Sequence, residues 1–289
     1  MFPLFLFVGL FARGVSEALG TVETGEGGDS KALDHWFIRT PAERLRELAT
    51  DRPDRTESPY TVDSGHFQIE ADILSWTVDD WNLARRHDEE FSILAANIKV
   101  GLSRSTDLQL VLPSYMATRS RDHSGNGVEE HRGVGDLTTR LKINLWGNDG
   151  GPTAFAVMPF IKWPTASYGL GNDSVEGGLI LPLAVELAGG WGLGLMTELD
   201  LNRNSGDSAH HLEWINSITI NHKIAGKLDG YVELFTALSA EQNSAWLATV
   251  DLGLIYGVND NLQLDAGVNI GATRSAPDFN PFVGITVRY

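Results

Sequence analysis

The sequence predicts an all-β fold, a closed antiparallel transmembrane β-barrel of about 12 strands. Apolar and polar residues alternate with a period of two from His66 to the last residue, Tyr289. Most of the alternating segments are 11–14 residues long, about twice the length of a usual globular strand. Short turns and longer loops alternate between the segments. Since side chains alternate faces along a strand, each segment has one apolar face for lipid and one polar face for a lumen.

The composition of the 289-residue chain excludes several classes of protein. Hydrophobic residues make up 42% and charged residues 21%, which is too apolar for a disordered chain. No apolar run reaches the roughly 18 residues that a membrane-spanning helix needs. The net charge of −16 argues against a nucleic-acid partner, and the absence of cysteine excludes disulfides, thiolate metal sites and cysteine catalysis.

The N-terminus predicts export. Phe2–Ala12 is an apolar run of the length found in signal peptides, and small residues between 16 and 20 offer cleavage sites. Basic residues are missing before this run, so the alternative is an apolar start that packs in a core. We expect a signal peptide at 1–20, a periplasmic N-terminal extension at 21–65 and the barrel at 66–289.

One short helix is predicted in the extension, over residues 41–49. Thr40 offers a capping hydroxyl, Pro41 fits the first helical position, and Glu43 completes a capping box. The charged, proline-bounded segment from Arg52 to Pro59 follows, and its composition excludes regular structure.

Twelve strands are predicted between residue 66 and the C-terminus. Their bounds are His66–Thr77, Phe91–Ser103, Asp107–Thr118, Val134–Trp146, Thr153–Pro164, Glu176–Ala188, Trp191–Arg203, His211–Ile224, Leu228–Ser239, Trp246–Gly257, Asn261–Arg274 and Phe279–Tyr289. An even strand number with alternating short and long connections is typical of outer-membrane barrels. Prolines 113, 159 and 182 lie inside predicted strands and should mark bulges or kinks.

Two further patterns favour the outer membrane of a Gram-negative bacterium over the competing fold, a secreted β-sandwich. Tryptophans concentrate at strand ends, where an aromatic girdle belongs: Trp76, Trp146, Trp163, Trp191, Trp214 and Trp246. The C-terminal strand ends on an aromatic residue and resembles the assembly signal of such barrels, with Gly284, Ile285, Val287 and Tyr289 as its residues. The predicted partners are therefore outer-membrane lipid and the barrel-assembly machinery.

Three stretches resemble a bacterial family. Residues 52–62 (RPDRTESPYTV), with Gly65 and Gln68–Glu70, look like the opening motif of the transporter-like outer-membrane proteins of the MetA-pathway of phenol degradation. Residues 133–142 (GVGDLTTRLK) and 158–165 (MPFIKWPT) resemble two further family stretches. The resemblance covers the chain from about residue 50 to its end. It implies an outer-membrane barrel that passes small hydrophobic or aromatic compounds.

The predicted lumen face carries charges that separate by sign. A basic wall comprises Lys99, Arg140, Lys142 and Lys162. An acidic wall comprises Glu186, Glu198, Asp200, Glu213, Glu233, Asp251 and Asp265, and the first strand adds Glu70 and Asp72. This arrangement predicts a transverse field across a narrow passage. The alternative is that the charges pair and close the lumen. Barrels of roughly 8 strands are filled by side chains and barrels of roughly 16 strands leave a water-filled channel, so a 12-stranded barrel is compatible with either state.

The segment before the first strand should lie at the periplasmic mouth. Arg52, Asp54, Arg55 and Glu57 could bond to lumen charges, which would make the segment a gate or plug. The simpler interpretation is a linker that caps the barrel floor.

Catalysis and metal binding have weaker support. A lipase-type site needs serine and histidine together, yet His222 and Ser217 fall on opposite faces of one predicted strand. His210 and His211 lie at a loop tip with Asp207, but adjacent rings rarely bind one ion, so no metal site is predicted.

The predicted function is passive uptake of small organic solutes, aromatic or phenolic compounds among them, with no cofactor. The alternatives are a closed structural or adhesion barrel and an outer-membrane lipid hydrolase.

Overall fold

The computed structural model describes residues 38–80, 82–122 and 127–289. The described residues belong to one structural unit, His35–Tyr289. The predicted signal peptide and the first part of the extension lie outside the described residues. In the described part of the chain, no helix is both long enough and apolar enough to cross a bilayer.

Within the described ranges, thirteen antiparallel strands form one sheet. Their bounds are β1 (Phe67–Asp79), β2 (Arg86–Ser103), β3 (Thr106–Asp122), β4 (Val128–Gly133), β5 (Leu137–Trp146), β6 (Thr153–Trp163), β7 (Glu176–Leu187), β8 (Trp191–Arg203), β9 (His210–Ala225), β10 (Leu228–Ser239), β11 (Leu247–Asn259), β12 (Leu262–Gly271) and β13 (Phe279–Arg288).

The sheet closes into a barrel because β1 pairs with both β2 and β13. β3 pairs with β5 along its first half and with β4 along its second half. β4 and β5 therefore share one position in the wall, so that the predicted closed barrel of 12 strands is confirmed.

The predicted fourth strand, Val134–Trp146, is interrupted at its start. Residues 134–136 leave the ladder, and the Gly135 N–H donates to the Pro113 carbonyl of β3 at 3.0 Å. Pro113 has no N–H to return a second bond, so the regular ladder cannot pass through this point. A side chain at Gly135 would also meet Pro113, whose Cβ would lie 2.8 Å away.

Connections of two lengths distinguish the two ends of the barrel. The turn end holds the connections 104–105, 147–152, 188–190, 226–227 and 260–261. The loop end holds the connections 80–85, 123–127, 164–175, 204–209, 240–246 and 272–278, which are all longer than the turn-end connections other than 147–152. Both ends of the barrel chain meet at the turn end, where the Tyr289 N–H donates to the Phe67 carbonyl at 2.8 Å.

The barrel wall is apolar outside and polar inside. On β9 and β10, the polar side chains of Ser217, Thr219 and Glu233 are buried, while the apolar side chains between them are exposed: Leu212, Ile218, Ile220, Val232, Leu234 and Leu238. This reverses the pattern of a water-soluble protein and fits a barrel surrounded by lipid. All six predicted girdle tryptophans are exposed. Trp146 and Trp191 lie at the turn end and the other four at the loop end.

The helix predicted at 41–49 is wrong. Only Ala42–Arg44 form a single 3-10 turn, and Leu45 already has extended backbone angles. The Arg46 N–H donates to the Asp63 carboxylate at 3.1 Å instead of to a carbonyl one turn earlier. A long-range polar contact therefore replaces the helical bond that the local sequence favours.

Candidate functional site in the barrel lumen

Residues 46–64, hereafter the inner segment, run through the barrel lumen. The segment begins and ends at the turn end, where the Arg46 Nε atom lies 2.8 Å from the Asp63 Oδ1 atom. Its middle reaches Ser217 and Glu233, halfway along β9 and β10. The sequence predicted that Arg52–Pro59 lies at the periplasmic mouth, and the structure shows the middle of this stretch deeper, where Thr56 contacts β9 and β10.

The physical reason for this depth is hydrogen bonding. The inner segment lacks regular structure, so its backbone N–H groups need partners outside the segment. Lumen carboxylates supply them: Glu70 accepts from the Asp51 N–H at 3.1 Å, Glu233 from the Arg55 N–H at 2.9 Å, and Asp107 from the Val62 N–H at 3.0 Å. The acidic lumen thus binds an irregular chain much as a neighbouring strand would.

Asp51 is the anchor of the inner segment on the basic wall. Its carboxylate bonds to the Lys142 ammonium at 2.6 Å and also pairs with Lys99, which in turn pairs with Glu70. Both lysine side chains are at most 2% exposed. Burial alone would raise the pKa of Asp51, but the two ammonium groups overcome this effect and hold the pKa well below its ordinary value.

Arg52 bridges two acidic strands on the other side. Its guanidinium lies 2.7 Å from Asp72 on β1 and 2.8 Å from Asp265 on β12. Burial lowers the pKa of Arg52, but its bonds with Asp265 and Asp72 raise it more. Gly284 leaves the room for this fork, because a Cβ there would lie 2.1 Å from the Arg52 Nη2 atom. A residue that the sequence assigned to the assembly signal therefore also shapes the lumen.

Residues 54–56 face the acidic wall. The Thr56 hydroxyl donates to Glu233 at 2.5 Å and lies 2.7 Å from the Ser217 hydroxyl. The Arg55 Nε atom is 3.8 Å from the Asp251 carboxylate, which is fully buried. Burial and the nearby Glu233 carboxylate raise the pKa of Asp54 well above its ordinary value. This region therefore brings the carboxyl groups of Asp54, Glu233 and Asp251 close to Arg55.

Glu57 connects the inner segment to β5 and β8. Its carboxylate bonds to Arg140 on β5 at 2.5 Å, and its N–H points to the Met196 sulfur on β8 at 3.4 Å. Burial raises the pKa of Glu57, and the Arg140 charge offsets only part of the rise. The inner segment is therefore attached to strands on both walls.

The remaining predicted wall residues lie nearer the loop end. Lys162 pairs with Glu176, and Asn202 donates to Glu213 at 2.8 Å. Asp200 faces Glu213 across neighbouring strands, with Glu198 two residues before it. Glu186 lies instead near the turn end of β7. Of the basic wall, Lys99, Arg140 and Lys142 bind carboxylates of the inner segment, so the two walls meet through that segment.

Sequence reasoning missed four residues of this site: Asp51, Thr56, Asp107 and Glu176. Asp107 and Glu176 stand at lumen-facing positions of their strands, so the period of two could have identified them. Asp51 and Thr56 lie in irregular chain, where no periodicity indicates direction. The sequence predicted that Ser217 faces inward and His222 faces lipid. The structure places Ser217 in the lumen and His222 on the exposed face, stacked on Trp191 with ring centroids 4.3 Å apart.

His210 and His211, which the sequence predicted at a loop tip, are the first two residues of β9 and have separate partners. The His210 ring lies 3.3 Å from the Ser174 hydroxyl, and the His211 ring lies 2.9 Å from the Asn204 side-chain oxygen. Within the described residues, no three histidine or carboxylate side chains are grouped so that they could hold a metal ion.

Comparisons with known proteins agree with this architecture. The family model described as Putative MetA-pathway of phenol degradation matches residues 50–289. An outer membrane channel from Pseudomonas putida F1 is 12% identical, with 83% of this chain and 100% of that chain covered and a TM-score of 0.58. The NanC porin is 6% identical, with 76% and 98% covered and a TM-score of 0.49.

The beta domain of the Bordetella autotransporter Brka is 13% identical, with 78% of this chain and 98% of that chain covered and a TM-score of 0.47. No curated protein matches the chain in sequence. At 12% identity, the likeness to the Pseudomonas channel shows a shared barrel fold.

Proposed function

The chain belongs to the MetA-pathway of phenol degradation family, and from that premise we propose that it is an outer-membrane channel for passive uptake of small organic solutes. Aromatic and phenolic compounds are the solutes that the family description suggests. The exposed apolar face and the tryptophans at both ends support a position in the outer membrane. The turn end, where both ends of the barrel chain meet, then faces the periplasm.

The observation that carries this proposal is the chemistry of the lumen contacts. The inner segment is held by ion pairs and hydrogen bonds on both walls. Buried ion pairs contribute little net stability, because their attraction only about balances the loss of hydration. Water entering the lumen can therefore replace these contacts, so that the segment shifts and a passage opens. Water could not replace the contacts of a segment that was held by a large apolar core.

In this mechanism the inner segment is the gate, with Arg52, Asp54, Arg55 and Glu57 as its charged contacts. The segment is attached at the turn end by Arg288 of β13, which donates to the Arg46 carbonyl at 2.8 Å and lies 3.6 Å from the Asp63 carboxylate. Movement of its middle, residues 54–57, opens the lumen without releasing the ends. No catalytic step and no cofactor are part of the proposal.

The second candidate is a closed structural barrel. The observation in its favour is that lumen-facing side chains of β3 and β5 are fully buried: Asp107, Gln109 and Lys142. If these contacts never open, the barrel is a scaffold in the membrane and passes no solute.

A reversible crosslink distinguishes the two candidates. The Thr56 and Ser217 hydroxyls are 2.7 Å apart and the chain has no cysteine, so the variant T56C/S217C can form a single disulfide between the inner segment and β9. We expect single-channel current steps from the reduced variant in a planar bilayer, and their loss on oxidation. Dithiothreitol should restore the steps, and the single variant T56C should respond to neither treatment.

Each outcome has a defined meaning. Current that persists unchanged after complete oxidation would contradict gating by the inner segment. The absence of current from wild-type and reduced protein, with folding shown by heat-modifiable gel mobility, would favour the closed barrel. Swelling of liposomes in phenol solutions, compared between the reduced and oxidised variants, tests the solute class.

A further inference from the structure

The lipid-facing surface has a groove at mid-height on β6–β10. Its volume is about 500 Å³. Most of the groove is lined by outward-facing side chains, including Leu181, Leu195, Ile218 and Leu234. Unlike the lumen, it opens on the apolar side of the wall, where the other strands present leucine, isoleucine and tryptophan.

Three short polar side chains produce this depression. Thr197, Asn216 and Thr236 are direct cross-strand neighbours on β8, β9 and β10, so they form one row at the same height. Longer apolar side chains stand on either side of the row. A row of threonine and asparagine among leucines lowers the surface and introduces hydrogen-bonding groups into it.

Polar groups at this depth are costly unless they are bonded. The Thr197 hydroxyl accepts from the Trp214 indole at 2.8 Å, and the Thr236 hydroxyl donates to the Asn216 carbonyl at 3.1 Å. The Asn216 side-chain amide makes no hydrogen bond to any of the described residues. An amide can donate twice and accept twice, and lipid tails offer neither kind of partner.

We propose that this groove binds a small, mostly apolar molecule that carries one hydrogen-bonding group, such as a phenol, from the hydrocarbon layer. The ring lies against Leu195, Ile218 and Leu234, and the hydroxyl bonds to the Asn216 amide. A concave pocket of this volume suits a small molecule, whereas a second copy of the barrel would present a convex wall of leucines. The inference rests on the proposed function only in placing this face in lipid.

The groove also lies directly behind the inner segment. Met196 and Ser217 contribute to its lining, and these two residues contact Glu57 and Thr56 on the lumen side. A molecule bound in the groove is therefore separated from the gate by one thickness of the barrel wall.

Photolabelling of the full-length protein in lipid nanodiscs tests the proposal. The probe is a phenol that carries a diazirine, and labelled residues are identified by mass spectrometry. We expect labelling concentrated in β8–β10, with p-cresol competing about fivefold better than toluene, because only p-cresol offers the hydroxyl. Asn216→Leu fills the groove with a lipid-compatible side chain and should lower this labelling about fivefold or more.

A matched pair of variants separates the groove from the lipid face in general. Thr139 accepts a bond from the Trp163 indole at 3.1 Å, as Thr197 does from Trp214, but it lies outside the groove. Thr197→Val should reduce labelling of β8–β10, and Thr139→Val should leave it unchanged. Heat-modifiable gel mobility shows whether each variant is folded, and Thr197→Val replaces Asn216→Leu if the latter fails to fold.

Three results would overturn the proposal. The first is labelling spread evenly over the lipid face, and the second is equal competition by p-cresol and toluene. The third is a disulfide-linked dimer of Asn216→Cys in membranes, which would make the groove an interface between copies. None of these readouts depends on current. A failure of the channel proposal is seen in the bilayer experiment alone, and a failure here leaves that result intact.

Discussion

Asp51 shows how one carboxylate organises a buried site. It lies between Lys99 and Lys142, and it also accepts from the Ser58 N–H at 3.0 Å, which folds the inner segment back on itself. Without Asp51, both buried ammonium groups would lose a carboxylate that they share. The charge of Asp51 therefore serves the barrel wall as much as the inner segment.

The substitution Asp51→Asn should destabilise the folded barrel. Removing one partner from a buried ion pair leaves an uncompensated charge, so the free energy of unfolding should fall by about 3 kcal/mol. Urea titration of the folded, heat-modifiable form measures the change. The matched control is Asp149→Asn, because Asp149 pairs with Arg104 where both side chains are about half exposed. The control should lose less than about 1 kcal/mol. Equal losses in the two variants would contradict the anchoring role of Asp51.

At the scale of the inner segment, we expect attachment to the lumen to depend on pH. Asp54 and Glu57 have raised pKa values when the segment is docked. The ordinary pKa values are 3.8 for Asp54 and 4.5 for Glu57. At a pH between these ordinary values and the raised values, the docked segment therefore binds more protons than a released segment. Docking is strongest below the ordinary values and weakens as the pH rises through the raised ones. Asp51 acts oppositely, since its contribution is present above 3.8 and is lost only as the pH falls below that value.

We therefore expect the open probability of the channel to increase as the pH rises through the raised pKa values of Asp54 and Glu57. Their neighbours Arg55, Arg140 and Glu233 set the strength of the effect. Single-channel recording over a pH series measures it. The double variant D54N/E57Q should flatten the profile, and Glu43→Gln, on an exposed part of the chain, should not. A flat wild-type profile would rule out proton-linked docking.

The whole molecule carries an excess of negative charge, and much of it faces the lumen. The basic side chains that could balance this negative charge differ in their exposure to solvent. Lys142 is fully buried beneath Asp51, whereas the Lys162 side chain is 30% exposed near the loop end. Lys162 is consequently the basic wall residue best placed to repel cations that enter from the loop end.

Neutralising Lys162 should make the channel more selective for cations. In Lys162→Gln, Glu176 loses its partner, so the local potential becomes more negative. The reversal potential in a salt gradient should shift in the direction of cation selectivity. Lys227→Gln, in an exposed turn at the opposite end, is the charge-matched control and should change little. An unchanged reversal potential in Lys162→Gln would remove the charged-wall model of selectivity.

The barrel and the two faces of its wall could be predicted from local sequence patterns. Alternation with a period of two is a local property, so it identified Ser217, Glu233 and Asp251 as lumen residues before any contact was known. Ile218 and Ile220 occupy the alternate positions of the same strand as Ser217, and the same period makes them lipid-facing. Strand length and the tryptophans at strand ends were equally local signals, and the closed 12-strand fold followed from them.

The filling of the lumen could not be predicted in this way, because it depends on contacts between residues that are distant in sequence. Residues 46–64 have no period, so nothing local shows that Asp51 meets Lys142 across 91 positions of sequence or that Thr56 meets Ser217 across 161. The helix expected at 41–49 failed for the same reason, since Asp63 offers Arg46 a better partner than the local chain does. Regular structure follows from repeating local geometry, whereas the path of an irregular segment depends on distant groups that satisfy its charges and its backbone.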